Sequence, residues 1–187
     1  MKSINESGLN RIREDVLNHD TALITSWKDK LTFCASEQNE LPTNNRERNK
    51  ILKALLLGEN FGVTKVDGSY IENFKELNAV EVKEDSFFVV NLKGNSNFNK
   101  KIIELGTMFC QDSVLIIPKG GKGAFLYGTN HAQFPSLGKS IPVGDLKLGV
   151  ESEFMSRVGN RPFVFETYKD YSRLQKMAIK AIQKQYS

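Results

Sequence analysis

The chain has few of the residues from which disulfide frameworks and metal centres are built. It contains two cysteines and two histidines in 187 residues. Cys34 and Cys110 lack the CxxC spacing of zinc sites and of redox motifs, and no histidine pair lies near them. We therefore expect two free thiols, no metal site and no cofactor. Neither cysteine has the sequence context of a catalytic nucleophile.

Long hydrophobic runs, long blocks of one charge and internal repeats are also missing. No segment approaches the roughly 18 consecutive apolar residues of a membrane-spanning helix, and residues 1–15 contain no apolar signal-peptide core. The 26 basic and 22 acidic residues leave a formal charge of +4, spread along the chain. We expect a cytoplasmic protein with no membrane partner. The small, dispersed net charge does not require nucleic acid as a partner.

Hydrophobic periodicity predicts an α+β fold in which helices pack on a mainly antiparallel sheet. Helical spacing of apolar residues predicts helices at 7–18, 44–58 and 96–109, and an amphipathic C-terminal helix at 168–186. The length suits one domain, 1–187. Apolar or alternating segments predict strands at 21–27, 80–93, 113–118 and 124–129, with shorter ones after Gly62 and around a Gly159-Asn160 hairpin turn. Asp67-Gly68 is expected to form a turn, and residues 131–153 a long loop.

The segment "PKGGKG" at 118–123 invites comparison with a phosphate-binding loop. A Walker loop needs GxxxxGK followed by Ser or Thr and then by a helix. Here Gly123 follows Lys122, and the next segment is apolar and strand-like. The sequence therefore predicts a hairpin tip whose glycines adopt positive φ. Contact of its lysines with an acidic partner is the alternative.

Polar residues at the ends of predicted strands and at the start of the second helix are the candidate ligand-binding residues. In "NNRERN", helical spacing places Asn45, Arg48 and Asn49 on one side. An Arg between two amides suits a carboxylate, a phosphate or a purine edge. Ligands often bind in the crevices at strand ends. The polar residues of "EDS", "QDS" and "GTN", which lie at the ends of predicted strands, therefore join the candidates. The predicted set is Lys28, Asn45, Arg48, Asn49, Ser86, Gln111, Ser113, Thr129 and Asn130. Capping, turn formation or a solvated helix turn is the alternative for each cluster.

The two histidines give limited support for catalysis. His19 lies in "HDT", which matches one H-x-Thr motif of two-histidine phosphoesterases, but His131 lies in "HAQ" and provides no second copy. If the chain is an enzyme, His19 and Glu84 are the candidate acid–base pair. The alternative for His19 is a helix-terminal position, where a positive charge suits the helix dipole.

Eight segments together resemble an uncharacterised family of small proteins from bacteriophages and from mobile or gut-bacterial genomes. They are "NESGLNRI", "HDTALITSWK", "NNRERNKILKALL", "GVTKVDGSYIEN", "EDSFFVVNL", "LGTMFCQDSVLIIPKGG", "LYGTN" and "EFMSRVGNRPFVFE". The resemblance covers 5–166 and carries no established activity. In that family an aromatic residue and an Arg stand where this chain has Trp27 and Lys28, so Lys28 would keep the charge without the planar fork. The resemblance implies a phage-type origin, a location in the host cytosol and a role against host defence.

These observations favour a binding protein over an enzyme, because amides, hydroxyls and one Arg without an evident nucleophile suit holding a ligand. The first hypothesis is a phage-type accessory protein that sequesters a small anionic, nucleotide-like immune signal. One alternative is a phosphodiesterase or nucleotide hydrolase that acts on such a signal. Another is an inhibitor that blocks a host defence component through a surface such as residues 132–153. A homo-oligomer is compatible with all three.

Overall fold

The computed structural model describes residues 4–28, 41–72, 80–131, 135–148, 154–158 and 161–166. These residues form three helices, α1 (Ile4–Asn18), α2 (Asn45–Gly58) and α3 (Phe98–Met108). They also form eight strands: β1 (Thr21–Thr25), β2 (Gly62–Glu72), β3 (Val80–Val90), β4 (Ser113–Ile117), β5 (Ala124–Gly128), β6 (Ser140–Leu148), β7 (Phe154–Val158) and β8 (Arg161–Glu166). The predicted α+β class is confirmed. The predicted C-terminal helix lies outside the described residues.

The strands form one antiparallel sheet that closes on itself. Their order is β1-β3-β2-β7-β8-β6-β5-β4, and β4 pairs with β1 to complete the closed barrel. In β1, Ala22 lies opposite Val89 of β3 on one side and Ile116 of β4 on the other. The predicted antiparallel sheet is therefore confirmed. Its closure depends on pairings between strands far apart in the chain, which local periodicity does not report.

Helices α2 and α3 cover the outer face of β1, β3 and β4. At the start of α2 the Asn44 side chain accepts hydrogen bonds from the backbone N–H groups of Arg46 and Glu47, as an N-cap residue does. Leu52 and Leu56 are fully buried. The outer cluster also draws on α3, and it contains Ala22, Ile24, Leu52, Leu56, Phe61, Phe87, Val89, Phe98, Ile102, Leu105, Phe109, Val114 and Ile116. Burial of this apolar surface holds both helices on the sheet.

Helix α1 packs against the other face of the same strands. Its Ile12 and Val16 are buried with residues from several strands, among them Phe88, Val90 and Ile117. Because side chains alternate between the two faces of a strand, the strand residues Phe88, Val90 and Ile117 point away from α2 and α3, to the inside of the closed sheet. None of the helices in the described part of the chain is long and apolar enough to cross a bilayer.

The prediction of a turn at Asp67-Gly68 is wrong. Strand β2 runs without a break through these residues, which pair with Asp85 and Glu84 of β3. On the opposite side they pair with β7, where Gly68 lies opposite Ser156. Hydrogen bonding to neighbours on both sides outweighs the local turn preference of an Asp-Gly pair.

The prediction of a continuous loop over residues 131–153 is also wrong, since β6 lies within it and pairs with β5 and β8. Ala124 lies opposite Gly144 and Phe125 opposite Pro142, so Val143 is an extra residue in the ladder. Such a bulge shifts the alternation of side chains by one position. The irregular pattern around Pro142 concealed the strand.

The segment 118–123 is the tip of the β4–β5 hairpin, as predicted. Ile116 pairs with Phe125, and Gly120, Gly121 and Gly123 all have positive φ. The strands on either side of residues 159–160 pair as expected for a hairpin, with Val158 opposite Arg161, and the turn residues lie outside the described residues.

One cysteine prediction needs correction. Cys110 is disulfide-bonded, so it is not the free thiol that its sequence spacing suggested. A disulfide requires that two Cβ atoms approach to about 4 Å in the fold, whatever their separation in sequence. Cys34 lies outside the described residues.

Candidate functional site

The chain that leaves β1 is held by two amides from the first two turns of α2. The side-chain oxygen of Asn45 accepts a hydrogen bond from the N–H of Lys28 at 3.0 Å, and its amide nitrogen donates to the carbonyl of Lys28 at 3.1 Å. The oxygen of Asn49 accepts from the N–H of Ser26 at 3.2 Å and from its hydroxyl at 2.5 Å. The Asn49 nitrogen donates to the carbonyl of Asp85 at 3.0 Å, which links β1 to β3.

Arg48 lies between these two amides and is 1% exposed. Its Nε donates to the carbonyl of Ser26 at 2.8 Å, and its Nη2 donates to the carbonyl of Phe109 at 2.6 Å. The guanidinium carbon lies 5.8 Å from the centre of the Phe109 ring, within the range of a cation–π contact. Arg48 therefore joins the end of β1 to the end of α3.

Within the described part of the chain, no carboxylate pairs with the buried charge of Arg48. Desolvation lowers the pKa of its guanidinium, although an Arg side chain stays protonated inside a protein. Among the described residues no Asp or Glu lies within 4.0 Å of it. A buried positive charge of this kind favours an anionic group nearby.

The end of α3 contributes a second set of contacts. The Gln111 side chain donates to the carbonyls of Trp27 at 3.1 Å and Phe109 at 3.2 Å. The hydroxyl of Thr129, just after β5, donates to the carbonyl of Gln111 at 2.6 Å. Cys110 has φ of 58°, which turns the chain sharply from α3 towards β4. The ends of β1, α3 and β5 thus meet at one place.

Lys28 and Asp112 form the solvent-facing edge of this cluster. The Lys28 ammonium donates to the carbonyl of Cys110 at 2.7 Å and to the carboxylate of Asp112 at 3.1 Å. The Lys28 side chain is 13% exposed and that of Asp112 is 58% exposed. The pair is close to neutral as a unit, so it adds hydrogen-bonding capacity without much net charge.

The structure brings six of the nine predicted ligand-binding residues into one hydrogen-bonded cluster. They are Lys28, Asn45, Arg48, Asn49, Gln111 and Thr129. Asn130 follows Thr129, is 4% exposed, and its side-chain oxygen accepts a hydrogen bond from the N–H of His131. Most of the side-chain hydrogen bonds of the six end on the main chain of residues 26–28, 85 and 109–111, so they position backbone.

Ser86 and Ser113 lie on the other face of the sheet. Ser86 pairs with Val66, which belongs to the inner cluster, and Ser113 precedes Leu115 of that cluster by two residues. The side-chain period of a strand places both serines inside the closed sheet. They are therefore separated from Arg48 by the sheet itself.

His19 and Glu84 are not brought together. Thr21 pairs with Val90 and Thr25 pairs with Ser86, so His19 lies beyond one end of this ladder and Glu84 beyond the other. The six residue-to-residue steps from Glu84 to Val90 alone span roughly 20 Å of strand. The predicted set omits three cluster members, Ser26, Trp27 and Asp112, although Asp112 belongs to the "QDS" segment that supplied Gln111 and Ser113. Ser26 lies inside the predicted strand 21–27, whereas β1 ends at Thr25, so the overlong strand concealed a polar residue at a strand end.

Comparison with known proteins identifies the family. No curated protein matches the chain in a sequence search. The sequence model of the S-adenosylmethionine lyase family matches residues 31–177, which is more than three quarters of the chain. The family is thus one with a stated activity, whereas the resemblance drawn from the motifs implied none.

The match overturns the functional hypotheses drawn from the sequence. A lyase breaks a covalent bond in its ligand without adding water, so a protein that only sequesters its ligand is not what the family name describes. A phosphodiesterase, which adds water across a phosphate ester, is contradicted for the same reason, and a blocker of a host factor has no support from this family. A small-molecule ligand agrees with the match. The chain belongs to the S-adenosylmethionine lyase family.

Proposed function

We propose that this chain cleaves S-adenosylmethionine at a carbon–sulfur bond. The family match over residues 31–177 carries the proposal. The substrate's positively charged sulfonium is a good leaving group, because breaking the bond to the γ-carbon returns the electron pair to sulfur and yields neutral 5′-methylthioadenosine. The protein therefore needs no metal or redox cofactor for this step.

Two routes break this bond without water, and both balance. In one, the substrate's own carboxylate attacks the γ-carbon and gives homoserine lactone. In the other, a base removes a β-proton and the four-carbon fragment leaves as vinylglycine. Among the residues whose side chains the structure describes, Asp85 and Asp112 are the carboxylates at the cluster. Each is paired with a lysine, at 3.0 and 3.1 Å. Both routes release 5′-methylthioadenosine, so this product tests the activity and the four-carbon product tests the route.

The cluster at the end of β1 is the proposed substrate site. The positive charge of Arg48, which no carboxylate of a described residue pairs with, favours the substrate carboxylate in this region. The half-buried indole of Trp27 is suited to an adenine ring and to a sulfonium, since aromatic faces attract cations. Asn45, Asn49 and Gln111 hold the backbone on which Trp27 and Lys28 lie. The cluster's role is to position the substrate, since both routes depend on the geometry in which the reacting groups are held.

The experiment is incubation of the purified full chain with S-adenosylmethionine, followed by mass spectrometry of the products. Formation of 5′-methylthioadenosine in proportion to protein and time supports the proposal. S-adenosylhomocysteine is the matched control, because its uncharged sulfur is a poor leaving group and it should survive intact. Recovery of all S-adenosylmethionine unchanged would contradict the proposal.

Two expectations from the sequence complete the proposal, a homo-oligomer and a cytoplasmic location. Both suit an enzyme whose substrate is a small cytosolic metabolite. Light scattering coupled to size-exclusion chromatography measures the molar mass against the 21.1 kDa chain. A molar mass equal to that of one chain at all concentrations would contradict the expectation of a homo-oligomer.

A further inference from the structure

A cavity of about 230 Å³ lies at the opposite end of β1 from the proposed substrate site. Helix α1 lines it with Arg13, Val16 and Leu17, and the β4–β5 hairpin tip lines it with Gly120, Gly121 and Lys122. Asp145 of β6 completes the wall. A water molecule takes about 30 Å³ in the liquid, so the cavity has room for a small organic molecule of about seven waters' volume.

The hairpin tip is docked rather than free in solvent. The N–H of Gly120 donates to the carbonyl of Val16 at 2.9 Å, and the N–H of Gly123 donates to the Asp145 carboxylate at 3.1 Å. The N–H of Lys119 donates to the Asp20 carboxylate at 3.0 Å. These bonds attach the tip to α1, to the α1–β1 connection and to β6. The cavity is therefore part of the folded structure.

The cavity combines a positive mouth with an apolar floor. Arg13 and Lys122 are exposed, and no carboxylate of a described residue lies within 4.0 Å of either cation. Asp145 supplies one negative charge, but one of its oxygens already accepts from Gly123. Val16 is buried, and Leu17, 48% exposed, offers apolar surface beside the cations. Two cations against one carboxylate leave a net positive charge.

We propose that this cavity binds a small organic anion, a carboxylate with a short aliphatic tail. Arg13 and Lys122 bind the anionic head, and Val16 and Leu17 contact the tail. S-adenosylmethionine does not suit this cavity. Its sulfonium and ammonium groups carry two positive charges and its carboxylate one negative charge, so the molecule is a cation. The site is thus separate from the proposed substrate site and does not depend on lyase activity.

The test is a titration of the ¹⁵N-labelled full chain with acetate, propionate and butyrate, followed by NMR. The amide signals of Gly120, Gly121 and Gly123 should shift and saturate. The dissociation constant should fall with tail length, by up to about fourfold for each methylene that becomes buried.

Variants locate the binding. Arg13→Ala and Lys122→Ala should each weaken butyrate binding, by about tenfold if a charge-assisted hydrogen bond is lost. Lys119→Ala is the matched control, since Lys119 is an exposed lysine of the same hairpin that does not line the cavity. Leu17→Ser should keep acetate binding but weaken the dependence on tail length, because Val16 alone remains to contact the tail.

Three results would overturn the proposal. One is a wild-type titration in which the glycine signals do not saturate. Another is an equal loss of affinity in the Lys119 and Lys122 variants, which would mean nonspecific attraction to the charge of the tip. The third is equal affinity for all three carboxylates, which would remove the apolar floor from the site. Arg13 and Lys122 are exposed, so their substitution leaves the core intact.

Discussion

Arg48 and Gln111 donate hydrogen bonds to the same main-chain oxygen, that of Phe109, at 2.6 and 3.2 Å. Phe109 is the C-cap residue of α3. The last carbonyls of a helix lack partners within the helix and carry its negative dipole end, so a buried cation and an amide both suit this position. Arg48 reaches it from α2, 61 residues earlier in the chain. One carbonyl therefore joins both helices to the candidate site.

Replacing Arg48 should destabilise the protein strongly. Arg48→Met leaves the carbonyl of Ser26 without this donor and weakens that of Phe109, and each buried group left unpaired costs about 1–3 kcal/mol. We expect a loss of about 2–4 kcal/mol in the free energy of unfolding, measured with urea. Arg46→Met is the control, because Arg46 is exposed on the same helix and should change stability by less than about 0.5 kcal/mol. Equal losses would contradict a structural role for Arg48.

Ser26 and Asn49 should show energetic coupling. Because both the N–H and the hydroxyl of Ser26 donate to the Asn49 oxygen, a double-mutant cycle of Ser26→Ala and Asn49→Ala should give a coupling energy of about 0.5–3 kcal/mol. Ser26→Ala with Asn18→Ala is the control cycle. Asn18 is exposed at the other end of β1, so its effects should add to those at Ser26. If the changes in unfolding free energy are additive in both cycles, the inferred energetic coupling between Ser26 and Asn49 is contradicted.

Gly106 and Gly58 should respond to alanine in opposite directions. A Cβ at Gly106 would lie 2.6 Å from Val114 Cγ1 and 3.0 Å from Thr129 Cγ2, so Gly106→Ala forces α3 away from β4 and should cost about 1–3 kcal/mol. A Cβ at Gly58 meets nothing within 4 Å. Gly58→Ala should raise stability by about 0.5–1 kcal/mol through the lower entropy of the unfolded chain. Thermal unfolding of both variants checks the contrast, and two shifts of the same sign would refute it.

Asp15 should make stability fall as pH rises through the acidic range. Burial raises the pKa of its carboxyl above the ordinary 3.8, against smaller opposing effects of Arg11 and His19, while Glu14 adds to the rise. The folded state therefore holds this proton more tightly than the unfolded state. Stability from this group is present below pH 3.8 and is lost as pH rises through the folded pKa. Asp15→Asn should lack this component in unfolding measurements between about pH 3 and 6. Parallel pH profiles for wild type and variant would count against it.

Lys28 should matter for turnover if the cluster holds the substrate. Lys28→Met removes the ammonium that contacts the Cys110 carbonyl and Asp112, and the edge of the site loosens. We expect kcat/KM for S-adenosylmethionine to fall by about tenfold, equivalent to about 1.4 kcal/mol in the transition state. Lys139→Met, at an exposed lysine outside the cluster, is the control. Unchanged kcat/KM in the Lys28 variant would move the substrate site elsewhere.

The parts of the fold that were predictable depend on local signals. The start of α2 is an example, because an Asn cap and a charged first turn identify a helix start within a few residues. Once the helix is known, its period places Asn45, Arg48 and Asn49 on one side, as found. Strand β6 was missed because its bulge disturbs the alternation, and Asp67-Gly68 was misread because its pairing partners lie elsewhere in the chain.

By itself the sequence determined α1, α2 and α3, the hairpin at 118–123 and the side of α2 that carries the polar cluster, since these depend on residues a few positions apart. Only the tertiary structure decided that the sheet closes, that Ser86 and Ser113 face its interior, and that Arg48 reaches Phe109. These features follow from strand register and from packing between distant segments. Their energies are shared among many contacts, so no short stretch of sequence carries them.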